Sequence, residues 1–410
     1  MRRNLTVNGD RLWQRHMALA EIGPVGETGN CRLSMSKEDG AARDLFARWC
    51  RDAGLSVQSD RAGNMVAIRP GTDPDRGLVA AGSHLDTQPH GGRFDGISGV
   101  LAALEAIETL NDAGIETKAP LAVINWTNEE GVRFAPGLMG SSWFVGELTD
   151  DALDASTASD GTTFAAEAEK IGWRGELRPD AVEMDSFFEL HIEQGPVLER
   201  AGVQVGIVTS VQGLRWLDVI VTGMDAHAGT TPLDARRDAL LAAAAAVQAI
   251  NCEGRREGAD ARVSVGRFLP ATDGPSTIVG EVRFVIDIRH PDNAVLGRLE
   301  AACKRASIEA ADRYGCVATV TRRIAVPPRD FDAGCIDAVQ QAADALGFSN
   351  MQLPSGALHD ASNIAAIAPT SMIFVPCRNG ISHNIDEYAS PEDLAAGCNV
   401  LLHSMLSRAG

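Results

Sequence analysis

The feature that most constrains this chain is an alternation of helical patterns with short apolar segments that lead to histidine or glutamate. Three such apolar segments lie at residues 78–82, 121–126 and 186–188. They are followed by His84, by the pair Glu129-Glu130 and by His191. Alternating strands and helices predict an α/β fold, with a central mixed sheet covered by helices on both faces. Because ligands of such sheets gather beyond the carboxyl ends of the strands, we expect these side chains to lie close together.

The order of predicted elements changes between about residues 211 and 327. It becomes strand, helix, two strands, helix and strand, which is the split β-α-β arrangement of a ferredoxin-like module. A chain of 410 residues with 45% hydrophobic content is also long enough for two domains. We therefore predict a catalytic domain at 1–210 and 328–410, with an inserted α+β domain at 211–327.

Composition excludes several classes of partner. A formal net charge of −18 argues against nucleic acid or an anionic membrane as the main partner. The chain has no apolar run of about 18 residues, and its first residues lack the apolar core of a signal peptide. Its 8 cysteines are scattered and form no C-x-x-C pair, which favours a reducing compartment. We therefore expect a cytoplasmic protein.

Five short segments together supply three imidazoles, an isolated aspartate and an adjacent pair of glutamates. The candidate metal ligands are His84, Asp95, Glu130, His191 and His383. This set suits two divalent metal ions that share one carboxylate, with one further carboxylate left as a base. Asp95 lies among glycines and has two oxygens, so it can bridge ions about 3.5–4 Å apart. The inventory predicts metal-assisted hydrolysis.

The pair of adjacent glutamates predicts a division of labour. A solvated acidic turn would not explain such a pair at the end of an apolar strand. Adjacent side chains point in different directions, so Glu130 can bind metal while Glu129 faces the attacking water as a general base. Asp86 lies two residues after His84. It either holds the second ring nitrogen of His84 or orients the site from behind.

The motifs GSHLDT, GGRFDG, NEEGVRF, ELHIEQGP and SHN, found in this order between residues 82 and 384, resemble a known family. They are similar to the amidohydrolase branch of the dinuclear zinc aminoacylase and carboxypeptidase superfamily. That branch contains N-carbamoyl-L-amino acid hydrolases, β-ureidopropionases and allantoate amidohydrolases, with a phosphorylase/hydrolase-like catalytic domain. The resemblance implies that His84, Asp95 and His191 hold one metal ion. It implies that Asp95, Glu130 and His383 hold the other.

The resemblance also implies how the substrate is bound. The inserted domain would be a lid and dimerisation domain, so a homodimer is expected. His227 would polarise the substrate carbonyl, commonly from the partner subunit, and would count as a catalytic residue with Glu129 and Asp86. Arg289 would hold the substrate carboxylate, for which a planar guanidinium has the right shape. The remaining expected substrate-binding residues are Gln194, Ser276 and Gly356.

Three departures from the family pattern bear on the substrate rather than on the reaction. Ser276 lies in a stretch where the family usually has asparagine. Leu358 stands where glycine is usual, and it is expected to narrow the pocket. Ile385, after the last predicted ligand, replaces part of a more common pair of a small residue and proline.

The leading hypothesis is hydrolysis of a linear C–N amide bond in a small molecule that carries a carboxylate. The expected reaction converts an N-carbamoyl amino acid to the amino acid, ammonia and carbon dioxide. Allantoate, with manganese in place of zinc, and N-acyl amino acids are alternative substrates. Imidazole and carboxylate ligands do not distinguish zinc from manganese, cobalt or nickel. A catalytically silent ligand-binding protein is the competing hypothesis, but such a protein has no need of Glu129.

Overall fold

The computed structural model describes residues 5–410 and divides into two compact units. Among the described residues, one unit comprises 5–209 and 331–410, and the other comprises Ser210–Asp330. Among the residues described, no helix is both long enough and apolar enough to cross a membrane.

Twelve α-helices are present in the described chain. They are α1 (Gly9–Ala20), α2 (Lys37–Asp52), α3 (Ile97–Asp112), α4 (Met139–Phe144), α5 (Asp150–Ala155), α6 (Phe164–Lys170), α7 (Val197–Ala201), α8 (Ala239–Glu257), α9 (Asn293–Arg313), α10 (Ala333–Leu346), α11 (Asp360–Ile364) and α12 (Pro391–Ala409). Short 3₁₀ helices lie at Pro179–Ala181, Leu233–Ala235 and Arg378–Gly380.

Seventeen strands are present in the same described residues. They are β1 (Pro24–Val25), β2 (Gly29–Asn30), β3 (Ser56–Ser59), β4 (Met65–Arg69), β5 (Leu78–His84), β6 (Leu121–Trp126), β7 (Met184–Ile192), β8 (Val205–Val211), β9 (Gly213–Thr222), β10 (Ala226–His227), β11 (Arg262–Pro270), β12 (Thr277–Ile278), β13 (Glu281–His290), β14 (Val317–Val326), β15 (Arg329–Asp330), β16 (Asn350–Ser355) and β17 (Thr370–Val375).

The largest sheet is mixed and has nine strands, in the order β15-β8-β17-β7-β5-β6-β4-β3, with β16 paired to β8. The central neighbours β17, β7, β5 and β6 run parallel, whereas β3, β4 and β8 pair antiparallel with their neighbours. Strands β5, β6 and β17 are buried along their whole length, as expected for parallel strands with both faces covered. The predicted α/β fold with a mixed central sheet is confirmed.

Two strands that carry predicted ligands extend beyond their apolar segments. Strand β5 continues to His84, and β7 continues through His191 to Ile192, so both histidines lie within strands. The apolar segments 78–82 and 186–188 are therefore only parts of these two strands. The reason is that pairing with neighbouring strands, such as His84 with Trp126, continues the hydrogen-bond ladder whatever the polarity of the side chains.

The second unit contains a four-stranded antiparallel sheet in the order β11-β13-β9-β14. Helices α8 and α9 contribute to its apolar core, and the elements follow each other as β-α-β-β-α-β apart from the short strands β10 and β12. The sequence pattern predicts one helix over residues 233–250 here, and both ends are wrong, because the α-helix spans Ala239–Glu257. Leu233–Ala235 forms a 3₁₀ turn, and the α-helix begins at Ala239, where Asp238 caps it by accepting a hydrogen bond from Leu241 N. The role of this unit as a lid stays a prediction.

A buried histidine joins α1 to the start of α3. His16 Nδ1 lies 2.9 Å from the carbonyl oxygen of Leu12, and Nε2 lies 3.2 Å from Ser98 Oγ. The ring also packs against Phe94, with 5.8 Å between the ring centroids. Burial lowers the pKa of His16 from 6.5 to about 4.

We expect His16 to make folding sensitive to mild acid. The unfolded chain protonates His16 near pH 6.5, whereas the folded chain keeps the ring neutral down to about pH 4. The contribution of His16 to the free energy of unfolding is therefore fully present above pH 6.5 and is lost as the pH falls towards 4. Between pH 7 and pH 5, the free energy of unfolding of the wild type should fall by about 2 kcal/mol more than that of His16→Gln. Denaturant titration at the two pH values would measure this difference. An identical loss in wild type and variant would show that His16 does not cause this dependence.

Candidate metal centre

The five predicted metal ligands lie close together in the first unit, with Asp95 at the centre. Asp95 Oδ1 lies 3.5 Å from His84 Nε2 and 3.1 Å from His191 Nε2. Asp95 Oδ2 lies 3.4 Å from His383 Nε2, which in turn lies 3.5 Å from Glu130 Oε2. The two oxygens of one carboxylate thus face two different groups of potential ligands.

The donor atoms of both groups fit divalent metal ions. Each group offers three nitrogen and oxygen atoms that all lie within 4.8 Å of one another. The groups are His84, Asp95 and His191, and Asp95, Glu130 and His383. Imidazole and carboxylate donors without thiolate suit zinc, manganese, cobalt or nickel. A carboxylate shared by two groups is compatible with a site for two metal ions.

The backbone holds two of the imidazoles so that Nε2 faces Asp95. Nδ1 of His84 lies 2.9 Å from the carbonyl oxygen of Asp86, and Nδ1 of His191 lies 2.8 Å from that of Ile192. A ring that donates Nδ1–H to a carbonyl keeps the lone pair of its neutral form on Nε2. Both rings therefore present Nε2 towards Asp95, and Nε2 of His191 also accepts a hydrogen bond from the backbone N–H of Gly96 at 3.1 Å.

Asp86 orients the acidic pair from behind. Its two carboxylate oxygens accept hydrogen bonds from the backbone N–H groups of Glu129 and Glu130, each at 3.3 Å. It is the carbonyl oxygen of Asp86, and not its carboxylate, that holds the ring of His84. Of the two roles predicted for this side chain, the geometry favours the second, so Asp86 is a positioning residue.

Mutual charge effects in the cluster favour an ionised Asp95. Burial opposes its ionisation, but the neighbouring imidazoles, foremost His191, hold the pKa of Asp95 well below its usual value. Burial raises the pKa of Glu129 well above that of an ordinary glutamate, and Glu130 raises it further. Glu129 Oε2 lies 3.6 Å from His84 Nε2. A carboxylate with a raised pKa suits a general base that works near neutral pH.

Two buried polar groups beside His191 were not among the predicted site residues. The ring of His359 packs edge-on against His191, with 4.6 Å between centroids, and these two histidines with Glu189 form a third group of potential ligand atoms. Burial lowers the pKa of His359 well below its usual value, and His191 lowers it further. Glu189 accepts hydrogen bonds from Ser83 Oγ at 2.6 Å and from a backbone N–H of α11 at 2.8 Å. The sequence signal for this group was the pair of polar residues His359 and Asp360 at the start of α11.

Gly96 leaves the space that the ring of His84 occupies. Its φ is +69°, and a β-carbon there would lie 2.3 Å from His84 Nε2. Gly96→Ala should displace the ring and weaken metal binding by about ten- to hundredfold, measured by chelator competition. Gly114→Ala is the matched control, because Gly114 has φ +61° but its β-carbon would meet no atom within 4 Å. Equal metal affinities in the two variants would contradict this account.

Gln194 and Gly356 also belong to the first unit. Gln194, with φ +57°, donates from Nε2 to Asp95 Oδ2 at 2.8 Å, so it contacts the candidate centre directly. Gly356 is exposed and follows β16. Leu358 is half-buried, and Ile385 packs on the β1–β2 hairpin, where a β-carbon at Gly29 would lie 2.5 Å from Ile385 Cγ2.

His227 and Ser276 lie side by side in the second unit. Nδ1 of the exposed His227 accepts hydrogen bonds from the backbone N–H groups of Gly229 and Thr230, at 3.0 and 3.2 Å. The proton of the neutral ring must therefore lie on Nε2, which makes that atom a donor. The carbonyl oxygen of Ser276 accepts from Ala228 N at 2.8 Å, which fixes the backbone beside His227.

Arg289 lies on β13 of the second unit and forms a bidentate ion pair. Its Nε and Nη2 donate to Oδ1 and Oδ2 of Asp287 at 3.0 and 3.1 Å. Trp216 Nε1 also donates to Asp287 Oδ2 at 3.0 Å. This carboxylate holds the guanidinium in one orientation on the sheet.

Comparisons with known proteins identify the family. Residues 80–407 match the model of peptidase family M20/M25/M40. The chain is 44% identical over 406 residues to the N-carbamoyl-L-amino-acid amidohydrolase of Rhizobium meliloti, covering 99% of this chain and 98% of that protein. It is 39% identical over 408 residues to the N-carbamoyl-L-amino acid amidohydrolase of Geobacillus stearothermophilus, covering 97% and 98%.

A solved structure gives the same result. The crystal structure of an amidase of the hydantoinase/carbamoylase family from Burkholderia multivorans matches with a TM-score of 0.94 and 44% identity, covering 99% of this chain and 98% of that one. The chain therefore belongs to peptidase family M20/M25/M40. The family resemblance predicted from the five motifs is confirmed.

Proposed function

We propose that this protein hydrolyses the bond between a carbamoyl group and the nitrogen of an L-amino acid. It is a hydrolase of carbon–nitrogen bonds in linear amides rather than in peptides, like its full-length relatives at 44% and 39% identity. The observation that carries the proposal is the geometry of Asp95, whose two oxygens face two groups of ligands. A buried glutamate, Glu129, lies beside them.

The proposed centre holds two divalent ions, zinc or alternatively manganese, cobalt or nickel. The proposed ligands are His84, Asp95 and His191 for one ion, and Asp95, Glu130 and His383 for the other. When bound, the ions would polarise the substrate carbonyl and lower the pKa of the attacking water.

Glu129 is the proposed general base. It takes a proton from the attacking water, whose oxygen adds to the carbamoyl carbon. The bond from that carbon to the amino-acid nitrogen then breaks, and Glu129 returns the proton to this nitrogen. The products are the free amino acid and carbamic acid, which decomposes to carbon dioxide and ammonia. The hydrogen bonds from the backbone N–H groups of Glu129 and Glu130 to the Asp86 carboxylate support this role. They fix the backbone from which the Glu129 side chain extends.

The proposed substrate contacts follow the family resemblance. We assign Nε2–H of His227, whose Nδ1 accepts from two backbone N–H groups, as the donor to the oxygen that becomes negative in the transition state. The family resemblance assigns this donor to the partner subunit, so we propose a homodimer. We assign the substrate carboxylate to Arg289, and contacts with the rest of the substrate to Gln194, Ser276 and Gly356. The scattered cysteines favour a cytoplasmic location.

Arg289→Gln should raise KM for carboxylate-bearing substrates by about tenfold or more, since a charge-assisted pair is lost. Arg283→Gln is the matched control. Arg283 lies on the same strand and pairs with Glu281, as Arg289 pairs with Asp287. Steady-state kinetics on one N-carbamoyl amino acid would measure both variants. Equal KM values would remove Arg289 from the substrate site.

The experiment that tests the function is ammonia release from a panel of substrates by the metal-loaded protein. The panel holds N-carbamoyl-L- and D-amino acids, N-carbamoyl-β-alanine, allantoate and N-acetyl amino acids. Hydrolysis of the N-acetyl compounds yields no ammonia, so it is measured as release of the free amino acid. We expect chelator-sensitive release from the N-carbamoyl-L-amino acids. Activity only on allantoate, or only on acetyl compounds, would overturn the proposed substrate but keep the metal centre. No turnover of any compound would favour a ligand-binding protein.

A further inference from the structure

We propose that Glu387 is a positioning residue that sets the metal affinity of the group formed by Asp95, Glu130 and His383. It does so by fixing the loop of Asp95 against the loop of His383. This inference rests on the metal centre proposed above. Sequence reasoning did not single out Glu387, although it lies only four residues after His383.

Glu387 holds the Asp95 loop through its backbone. The residue is 2% exposed, and its Oε1 accepts hydrogen bonds from the N–H groups of Phe94 and Asp95 at 3.1 and 3.0 Å. The loop also fits tightly over this carboxylate, since a β-carbon at Gly92 would lie 2.2 Å from Oε1. A shift of Glu387 would therefore move Asp95 itself.

The second oxygen of Glu387 reaches the other loop through Ser382. Ser382 Oγ lies 3.1 Å from Glu387 Oε2 and 2.7 Å from Asp95 Oδ2, and it immediately precedes His383. A hydroxyl has one proton, so Ser382 can donate to only one of the two carboxylates at a time. Ser382 can thus release Asp95 Oδ2 to a cation and still keep a hydrogen bond by turning to Glu387.

A carboxylate suits this position better than an amide. Glu387 accepts from two N–H groups at one oxygen and from a hydroxyl at the other, so both oxygens act as acceptors. In glutamine one oxygen becomes an NH₂ donor. If that donor faced the two backbone N–H groups, their hydrogen bonds would be lost. If it faced Ser382, the hydroxyl would accept from it and direct its own proton to Asp95 Oδ2, so Ser382 could no longer release that oxygen to a cation.

A purely structural role for Glu387 would have a different signature from a positioning role. Glu105 provides the comparison, because it is also fully buried and also accepts a backbone N–H, from Asn8 at 2.8 Å. Its other hydrogen-bond partners, Arg11 and Thr109, lie outside the ligand segments. Glu105→Gln should therefore lower the stability of the fold without changing metal affinity.

The test measures metal affinity by titrating zinc or manganese into chelator-treated protein against a competing indicator. The proteins are wild type, Glu387→Gln and Glu105→Gln, with denaturant unfolding of each metal-free form. Glu387→Gln should weaken at least one of the two metal equivalents by about ten- to hundredfold, while Glu105→Gln keeps wild-type affinity for both. Ser382→Ala, which leaves Glu387 in place, should weaken the same equivalent by about two- to tenfold.

Three outcomes would overturn the inference. Wild-type affinity in Glu387→Gln would show that the residue does not position the ligands, and the proposed function would stand. If Glu387→Gln does not fold, wild-type affinity in Ser382→Ala would have the same meaning. Absence of saturable metal binding in the wild type would overturn the metal centre and the inference together.

Discussion

Replacing Glu129 with glutamine is expected to lower kcat by about two to four orders of magnitude. The amide cannot take a proton from water, but it has nearly the same shape, so the protein should still fold and bind metal and substrate. Stopped assays of ammonia release would give kcat, and metal analysis of the same sample would show that the centre remains loaded.

The neighbouring residue supplies the comparison for this variant. Glu130 lies 3.5 Å from His383 and belongs to a ligand group, so Glu130→Gln should lose metal as well as activity. The two variants differ by one position in the chain but should differ clearly in metal content. If Glu129→Gln turned over substrate at the wild-type rate, Glu129 would not be the base.

Replacing Asp95 with asparagine is expected to have the second large effect. Asparagine has one side-chain oxygen, so at most one of the two ligand groups keeps its complete set of donors. We expect a loss of kcat/KM of about a hundredfold or more, with at most one metal ion retained per chain after dialysis. The measurement is metal content together with kinetics at saturating added metal.

Asp60→Asn is the matched control for Asp95→Asn. Asp60 is also a fully buried aspartate, and its Oδ1 accepts the backbone N–H of Asn64 at 2.9 Å. Its substitution should cost stability but leave the metal content unchanged. Two retained metal ions and wild-type kcat/KM in Asp95→Asn would contradict the assignment of Asp95 as the shared ligand.

The sequence predicted well those elements whose boundaries are marked locally. The sequence pattern predicts strands over residues 65–69, 121–126 and 370–375 and a helix over residues 293–313. Strands β4, β6 and β17 and helix α9 have these first and last residues. Each strand is an apolar run, and helix α9 follows the capping residue Asp292, whose side chain accepts from Ala294 N and Val295 N. Convergence of the ligand segments could also be predicted, because parallel strands end at the same edge of a sheet.

Contacts between distant parts of the chain could not be predicted. Asp86 was singled out as the residue behind the site, but local pattern did not show that its carboxylate binds the backbone of the acidic pair. Glu387 contacts a residue 292 positions away, and nothing in its own segment indicates that partner. The strands that contain His84 and His191 extend past the apolar run for the same reason, since pairing with neighbouring strands decides their length.

The most direct test of the central claim is ammonia release from an N-carbamoyl-L-amino acid as metal is added back to chelator-treated protein. The account predicts no activity without metal and a rise that saturates at two equivalents per chain, because the two ligand groups share Asp95. Full activity in the metal-free protein, or no ammonia release at any metal concentration, would contradict it.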